Sequence, residues 1–277
     1  MPTDPTARSH GRAAIDGGLT LSYVKQGDPS GPALVFLPGP TDSWPSYEPV
    51  LARLPSSIRA IAVSQRGHGD SDKPAHGYRV EDFAADVVPF LDALGIERAV
   101  LAGHSGSCLV ARRVAIDAPE RVAGLVLEAS PSTLRGEVAL EAFVESVVSG
   151  LKDPIDPSVA RSTVVDTSHE QMDPGVLDRL VAEVLKVPAH VWKEMFADLS
   201  AHDDTADLRS IAAPVLLVWG DSDQIVGPDM QNLLVRHIPD ATLLVYTGVG
   251  HTPRWQDPRR FAADVAAFVS DVCAHGR

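Results

Sequence analysis

Cysteine and basic residues are both scarce in this sequence, and each scarcity excludes a class of protein. Only Cys108 and Cys273 are cysteines among 277 residues, too few for a disulfide-stapled extracellular fold. Lysine and arginine total 24 against 37 aspartates and glutamates, which gives a formal net charge of −13. Because such a surface repels nucleic acids and anionic membranes, we expect neither as a partner and expect a small-molecule substrate instead.

Long apolar runs and cofactor-binding patterns are also lacking. No segment is a long uninterrupted hydrophobic stretch, and Met1 to Gly11 is polar, without the apolar core of a secretion signal. These features predict a cytoplasmic protein. The histidines follow no metal-ligand spacing, and no glycine-rich phosphate loop follows a strand at the required spacing. We therefore expect neither a metal nor a nucleotide cofactor.

The most informative segment present is Gly103-His104-Ser105-Gly106-Ser107. An apolar run, Ala99 to Ala102, leads into it, and a helix-like segment, Cys108 to Asp117, follows it. That context predicts a strand, a sharp turn that exposes a strained serine, and a helix, with small residues beside the serine to permit tight packing. Ser105 is therefore the candidate nucleophile.

Two further buried strands each deliver polar residues into the loop that follows. Pro214 to Trp219 leads to Asp221-Ser222-Asp223, and Thr242 to Tyr246 leads to Gly248-Val249-Gly250-His251. Residues so far apart in sequence converge only if their strands are neighbours in one parallel sheet, because the C-terminal ends of such strands share an edge. A serine, a carboxylate and an imidazole at one edge are the parts of a nucleophilic triad.

Strand and helix patterns alternate along most of the chain, which predicts a doubly wound α/β fold with a mostly parallel central sheet. A hairpin over residues 12 to 26 precedes the strand patterns at Ala33 to Leu37, Arg59 to Val63, Ala99 to Ala102 and Ala123 to Leu127. Between Pro131 and Asp207 only helical spacing is found, over Glu137 to Leu151, Pro157 to Asp166, Pro174 to Lys186 and Pro188 to Leu199. We therefore expect a core of residues 1–130 and 208–277 with a helical cap, residues 131–207, inserted into it.

These motifs, taken in order, resemble the α/β-hydrolase-fold family over nearly the whole chain. Besides the serine turn, the matching residues are Gly39 after the first central strand, the loop Gln65 to Ser71, the loop Gly220 to Asp223, and Gly250-His251. The resemblance implies an α/β-hydrolase fold in which the cap covers the cleft. It also implies that Ser105 is the nucleophile, Asp223 the acid and His251 the base.

The chemistry supports these roles and leaves two other carboxylates open as the acid. A serine hydroxyl needs an imidazole to accept its proton as it attacks, and the resulting imidazolium needs a carboxylate on its other ring nitrogen. Asp223 ends the Gly-x-x-Asp turn that is usual in the family. Asp221 lies two residues away, and Glu128 ends the strand Gly124 to Leu127, where some members of the fold carry their acid.

Three other polar residues near these motifs are expected to be structural. His104 lies inside the serine turn, where a side chain packs into the core with a hydrogen bond, and His68 lies in a glycine-containing loop whose charges suggest internal pairing. Cys108, in the helix after the nucleophile, is interpreted as a small buried hydrophobe in preference to an acyl acceptor.

Pro40 is the main departure from the family pattern. The resemblance places one oxyanion donor at the amide of Gly106 and a second at the residue that is Pro40 here, but proline has no amide hydrogen. Three interpretations follow. Either the Thr41 amide or hydroxyl, or a bound water, replaces the donor in an ordinary hydrolase; or the triad performs proton transfer without an oxyanion; or the protein binds a ligand with little turnover.

The cap is expected to select the substrate, because lids over a fixed triad vary while the chemistry stays the same. Its larger apolar residues include Trp192, which we take as a candidate substrate contact, and it holds no basic cluster. We therefore expect a small or medium, largely apolar substrate. His169 and Gln171 are weaker candidates for hydrogen bonds to it.

The sequence thus predicts a cofactor-independent serine hydrolase that cleaves an ester or lactone through an acyl-enzyme. The alternatives are a carbon–carbon bond hydrolase, a lyase or isomerase that uses His251 as acid and base, and a receptor-like binding protein.

Overall fold

The computed structural model describes residues 8–168 and 172–275, and within them eight strands form one sheet. The expected hairpin comes first, and the remaining strands lie within two residues of their predicted positions. The strands are β1 Ser9–Ala14, β2 Thr20–Gln26, β3 Ala33–Leu37, β4 Arg59–Val63, β5 Ala99–His104, β6 Val122–Glu128, β7 Val215–Gly220 and β8 Ala241–Tyr246.

The sheet is antiparallel at one edge and parallel through the rest, in the order β1-β2-β4-β3-β5-β6-β7-β8. β2 pairs antiparallel with β1 and β4, whereas β3 to β8 pair in parallel. The C-terminal ends of β5, β7 and β8 therefore lie along the same edge of the sheet. Loops after these three strands carry Ser105, Asp223 and His251.

Helices cover both faces of the sheet, and together with the sheet they form the predicted doubly wound α/β fold. The described helices are α1 Glu48–Leu51, α2 Val80–Ala93, α3 Ser107–Asp117, α4 Val138–Ser146, α5 Pro157–Asp166, α6 Pro174–Val184, α7 Ala189–Leu199, α8 Pro228–His237, α9 Pro253–Gln256 and α10 Pro258–His275. Within the described ranges none of them is both long enough and apolar enough to span a bilayer.

Alternating strand residues divide the core into two layers, as the two-residue period of a strand requires. On β3, Val35 packs with the layer that contains α2 and α3, while Phe36 packs with the layer that contains α1 and α10. The central strands are buried on both faces. This explains why they appear in the sequence as continuous apolar runs.

Helices α4 to α7 occupy the chain between β6 and β7. Pro157 and Pro174 begin α5 and α6, and the side chains of Asp156 and Asp173 cap the two helices. The single helix expected over Glu137 to Leu151 is instead α4 followed by a short 3-10 turn at Val148–Gly150. Two β-branched valines and a glycine at this point are poor helix formers. The division of the chain at residues 131 and 207 stays a prediction.

Candidate active site

Ser105 lies at the turn between β5 and α3, in a left-handed backbone conformation. Its φ of 51° is strained for a residue with a side chain, and its N–H donates to the carbonyl of Glu128 at 2.9 Å. Small neighbours make the turn possible. A Cβ atom on Gly103 would lie 2.6 Å from the Ser107 carbonyl, and one on Gly106 would lie 2.8 Å from Cγ of Pro40.

The imidazole of His251 joins Ser105 to Asp223. Ser105 Oγ lies 3.0 Å from Nε2 of His251, and Nδ1 of His251 lies 2.8 Å from Oδ2 of Asp223. Asp223 is fixed in turn, because its Oδ1 accepts from the amides of Ile225 and Val226 at 2.8 and 3.0 Å. An Nδ1–H donor toward the carboxylate leaves Nε2 free to accept the serine proton.

The two other carboxylates considered as the acid make different contacts. Asp221 is exposed, and its Oδ1 accepts from the amide of Gly248 at 2.7 Å. Glu128 is completely buried and accepts from the backbone N–H of Arg254 at 2.8 Å. Of the three, Asp223 is the carboxylate that the fold brings to His251.

The structure corrects one of the expected replacements for the missing oxyanion donor. The Thr41 N–H donates to Nε2 of His68 at 3.2 Å, so this amide is already engaged. The N–H of Gly106 donates to no acceptor among residues 8–168 and 172–275. Thr41 is 2 % exposed, and its hydroxyl makes no hydrogen bond within the same ranges.

His68 and His104 hold the oxyanion loop, residues 38–44, and the base loop in place. His68 Nδ1 donates to the Arg66 carbonyl at 2.8 Å, which leaves Nε2 as the acceptor for Thr41. Burial lowers the pKa of His68 to about 4, so the ring is neutral near pH 7. His104 Nε2 donates to the His251 carbonyl at 3.1 Å. Both histidines are structural in this arrangement.

A small cleft with a cavity volume of about 10 Å³ lies beside Pro40 and Gly106. Its other walls are mainly apolar and come from the core and from α7, namely Tyr78, Val80, Phe83, Val110, Met195 and Leu199. Trp192 is not among its lining residues. The Trp192 indole is fully buried and stacks on Phe196 at 5.7 Å. The structure therefore places this candidate contact in the interior of the helical insert.

Several residues near the site were not singled out from the sequence. Arg254, three residues after His251, is fully buried and forms ion pairs with Asp42 and Glu128. Glu81, Asp198 and His202, from α2, α7 and the segment after α7, bring possible metal-ligand atoms within 4.8 Å of one another. Among these residues, only Arg254 could have been noticed from the sequence, because it follows His251 by three positions. His169 and Gln171 lie outside the described residues.

A parallel sheet with a serine, a histidine and an aspartate in contact on loops at the ends of its strands defines a protein of the α/β-hydrolase class. The chain belongs to the alpha/beta hydrolase family, whose model matches residues 34–264, and it is a hydrolase enzyme.

Its relatives have several named activities. A non-heme chloroperoxidase of Streptomyces lividans is 30 % identical over 94 % of this chain and 99 % of its own length. Epoxide hydrolase 4 of Mus musculus is 34 % identical over 82 % of this chain and 70 % of its own length. Among solved structures, the esterase RhEst1 from Rhodococcus sp. ECU1013 has 27 % identity and a TM-score of 0.84, over 95 % of this chain and 99 % of that one.

Proposed function

We propose that this hydrolase is a cofactor-independent serine esterase or lactonase that forms an acyl-enzyme. The observation that carries the proposal is the chain of contacts from Ser105 Oγ to His251 Nε2 at 3.0 Å and from His251 Nδ1 to Asp223 Oδ2 at 2.8 Å. A serine hydroxyl becomes a nucleophile at neutral pH when an imidazole accepts its proton and a carboxylate contacts the other nitrogen of that imidazole.

The reaction has two halves in this proposal. Ser105 Oγ attacks the carbonyl carbon while its proton moves to His251 Nε2, and the proton then passes to the leaving alkoxide as the carbon–oxygen bond breaks. Water repeats the sequence: it loses a proton to His251, attacks the acyl carbon, and releases the acid and the Ser105 hydroxyl. Asp223 stabilises the imidazolium in both halves.

The oxyanion of each tetrahedral intermediate requires donors, and we assign two. The first is the N–H of Gly106, the residue after the nucleophile, which has no acceptor within the described residues. The second is the hydroxyl of Thr41. Pro40 has no N–H, and the N–H of Thr41 already donates to His68. Of the donors on these two residues, the Thr41 hydroxyl is therefore the one that remains.

The surroundings favour a small, largely apolar acyl group. The cleft beside Gly106 is mainly apolar, and it has room for about one water molecule. Several cations of the helical insert are paired with carboxylates, as in Arg135 with Asp203, Arg161 with Asp178 and Lys186 with Glu183. These pairs reduce the positive charge available to attract a phosphorylated substrate. A small-molecule partner and a cytoplasmic location remain predictions.

Labelling of the purified protein with a fluorophosphonate, alongside assays on a panel of short aryl esters and lactones, tests the proposal. We expect both labelling and turnover in the wild type, and loss of both in Ser105→Ala. Ser146→Ala is the control, because that serine is exposed on α4 and its hydroxyl donates to the Ala142 carbonyl within the same helix. A folded wild-type protein that is neither labelled nor active would contradict the proposal and favour a reaction without an oxyanion.

A further inference from the structure

Three charged side chains are buried together behind the triad. Arg254 Nη2 lies 2.7 Å from Oδ2 of Asp42, and Arg254 Nη1 lies 3.4 Å from Oε2 of Glu128. The guanidinium also lies over the rings of Tyr47 and Trp255, at 5.3 and 4.3 Å from their centroids. Arg254 and Glu128 have no exposed surface, and Asp42 is 8 % exposed. Burying three charged groups costs desolvation free energy, so we asked what function their presence behind the triad serves.

The three residues belong to the three segments that surround the reacting atoms. Asp42 is in the oxyanion loop, two residues after Pro40. Glu128 ends β6, and its carbonyl accepts the N–H of Ser105. Arg254 lies in the first turn of α9 directly after the base loop, and its backbone N–H donates to Glu128 Oε1 at 2.8 Å. One guanidinium therefore connects the oxyanion, nucleophile and base segments.

The net charge of this cluster depends on whether both carboxylates are ionised. Two carboxylates share one guanidinium, so the cluster has a net charge of −1 when both are ionised. Burial raises the pKa of Asp42 to about 6, against the opposing effect of Arg254, and burial likewise raises the pKa of Glu128. Asp42 is therefore largely ionised at pH 7 and above, and both carboxylates interact electrostatically with His251.

Other groups also face His251. Asp223 contacts its Nδ1, and the ring of His104 lies 5.0 Å from the His251 ring, edge to face. Burial lowers the pKa of His104 well below its ordinary value, so this neighbour is neutral. The negative charge near His251 therefore comes from Asp223, from Asp42 and, when it is ionised, from Glu128.

We propose that Asp42, Glu128 and Arg254 are positioning residues for the reaction: the guanidinium holds the oxyanion loop in register with His251, and the excess negative charge stabilises the imidazolium that forms when Ser105 gives up its proton. The inference rests on the proposed function, since it concerns the same proton transfer. It adds a second source of negative charge to Asp223.

Asp42→Asn tests the charge. Asparagine keeps an oxygen for Arg254 Nη2 and removes one negative charge, so the imidazolium is less stable. The acid limb of the kcat/KM profile should then move to lower pH by on the order of half a unit. We expect kcat to fall about tenfold with KM little changed, because the loop that carries Pro40 and Thr41 is held less firmly.

Asp204→Asn is the matched control. Asp204 forms a buried pair with Arg112, at 2.6 Å, that is similar in burial to the pair of Asp42 with Arg254. Its neutralisation should lower the thermal midpoint without moving the acid limb. If Asp42→Asn does not fold, Glu128→Gln performs the same test, because glutamine Oε1 can still accept from the Arg254 N–H.

The outcomes separate this inference from the proposed function. Wild-type protein that fluorophosphonate fails to label would contradict the proposed function itself. If the wild-type protein is labelled and active but the pH profile of Asp42→Asn, or of Glu128→Gln, is the same as that of the wild type, the inference alone is overturned.

Arg254→Lys adds a check on register, since lysine keeps the charge but lacks the fork that spans both carboxylates. Its kcat should fall at least as far as that of Asp42→Asn.

Discussion

Thr41 has a strained backbone conformation that its neighbours hold in place. It is a β-branched residue at φ 68°, a conformation that such residues rarely adopt, and His68 Nε2 holds its amide. Thr41→Val keeps the branching and the volume but removes the hydroxyl. If that hydroxyl donates to the oxyanion, kcat on an aryl acetate should fall about 10- to 100-fold with KM nearly unchanged. Steady-state kinetics would measure both constants.

Thr41→Ser is the control, since it keeps the hydroxyl, and it should retain most of the wild-type kcat. Full activity in Thr41→Val would show that the second donor is not this side chain. The sequence indicates the problem at Pro40 because proline lacks an N–H whatever its surroundings. It could not reveal that His68 occupies the next amide, since that contact joins residues 27 positions apart.

At the scale of elements, α7 contributes Met195 and Leu199 to the wall of the cleft. Leu199 lines the cleft beside Gly106 and is 4 % exposed. Leu199→Ala should enlarge the cleft and raise the ratio of kcat/KM for an aryl hexanoate over an aryl acetate. The free energy of unfolding should fall by about 2–5 kcal/mol, the usual cost of truncating a buried leucine. Kinetics with the two esters, together with urea denaturation, would measure both effects.

Leu180→Ala, on α6, is the matched change. Leu180 is 3 % exposed and does not line the cleft, so its truncation should cost similar stability and leave the ester preference unchanged. A shifted preference in both variants would mean that general loosening of the insert is responsible. The helices themselves were largely predictable, because Pro157 and Pro174 begin two of them. The face of α7 that packs on the core was not predictable, because it depends on contacts with residues distant in sequence.

For the whole molecule, buried neutral histidines predict a loss of stability in acid. The pKa of His68 is about 4 in the folded protein and about 6.5 when exposed. Between these values only the unfolded chain takes up a proton there, so stability falls as pH decreases from about 6.5 to about 4 and changes no further below that. From pH 7 to 4.5 this amounts to about 2–3 kcal/mol.

Urea denaturation of wild type and His68→Gln at both pH values would measure this effect. The wild type should lose about 2–3 kcal/mol more than the variant over that interval, because glutamine does not titrate. Comparison of the two slopes removes the opposing contribution of Asp42. Burial raises the pKa of Asp42, so protonation of this carboxyl favours the folded state as pH falls, and it does so in both proteins. Equal slopes would contradict the neutral assignment of His68.

Much of the fold and of the triad was predictable, because both depend on local patterns. Apolar runs mark β3 to β7, and the residues Ser105, Asp223 and His251 follow strands whose order along the sheet is limited by simple topological rules. The buried cluster at Arg254 was not predictable. Arginine, aspartate and glutamate are usually exposed, and nothing local distinguishes the three that pair inside this core.

Arg254 lies 212 positions after Asp42, and this separation affects how the protein is made. During synthesis, Asp42 and Glu128 leave the ribosome long before the cation that pairs with them. Until that arginine emerges, burying the two carboxylates would leave two unpaired negative charges in an apolar interior. The nascent chain therefore closes its reaction centre only after the segment that carries Arg254 has emerged.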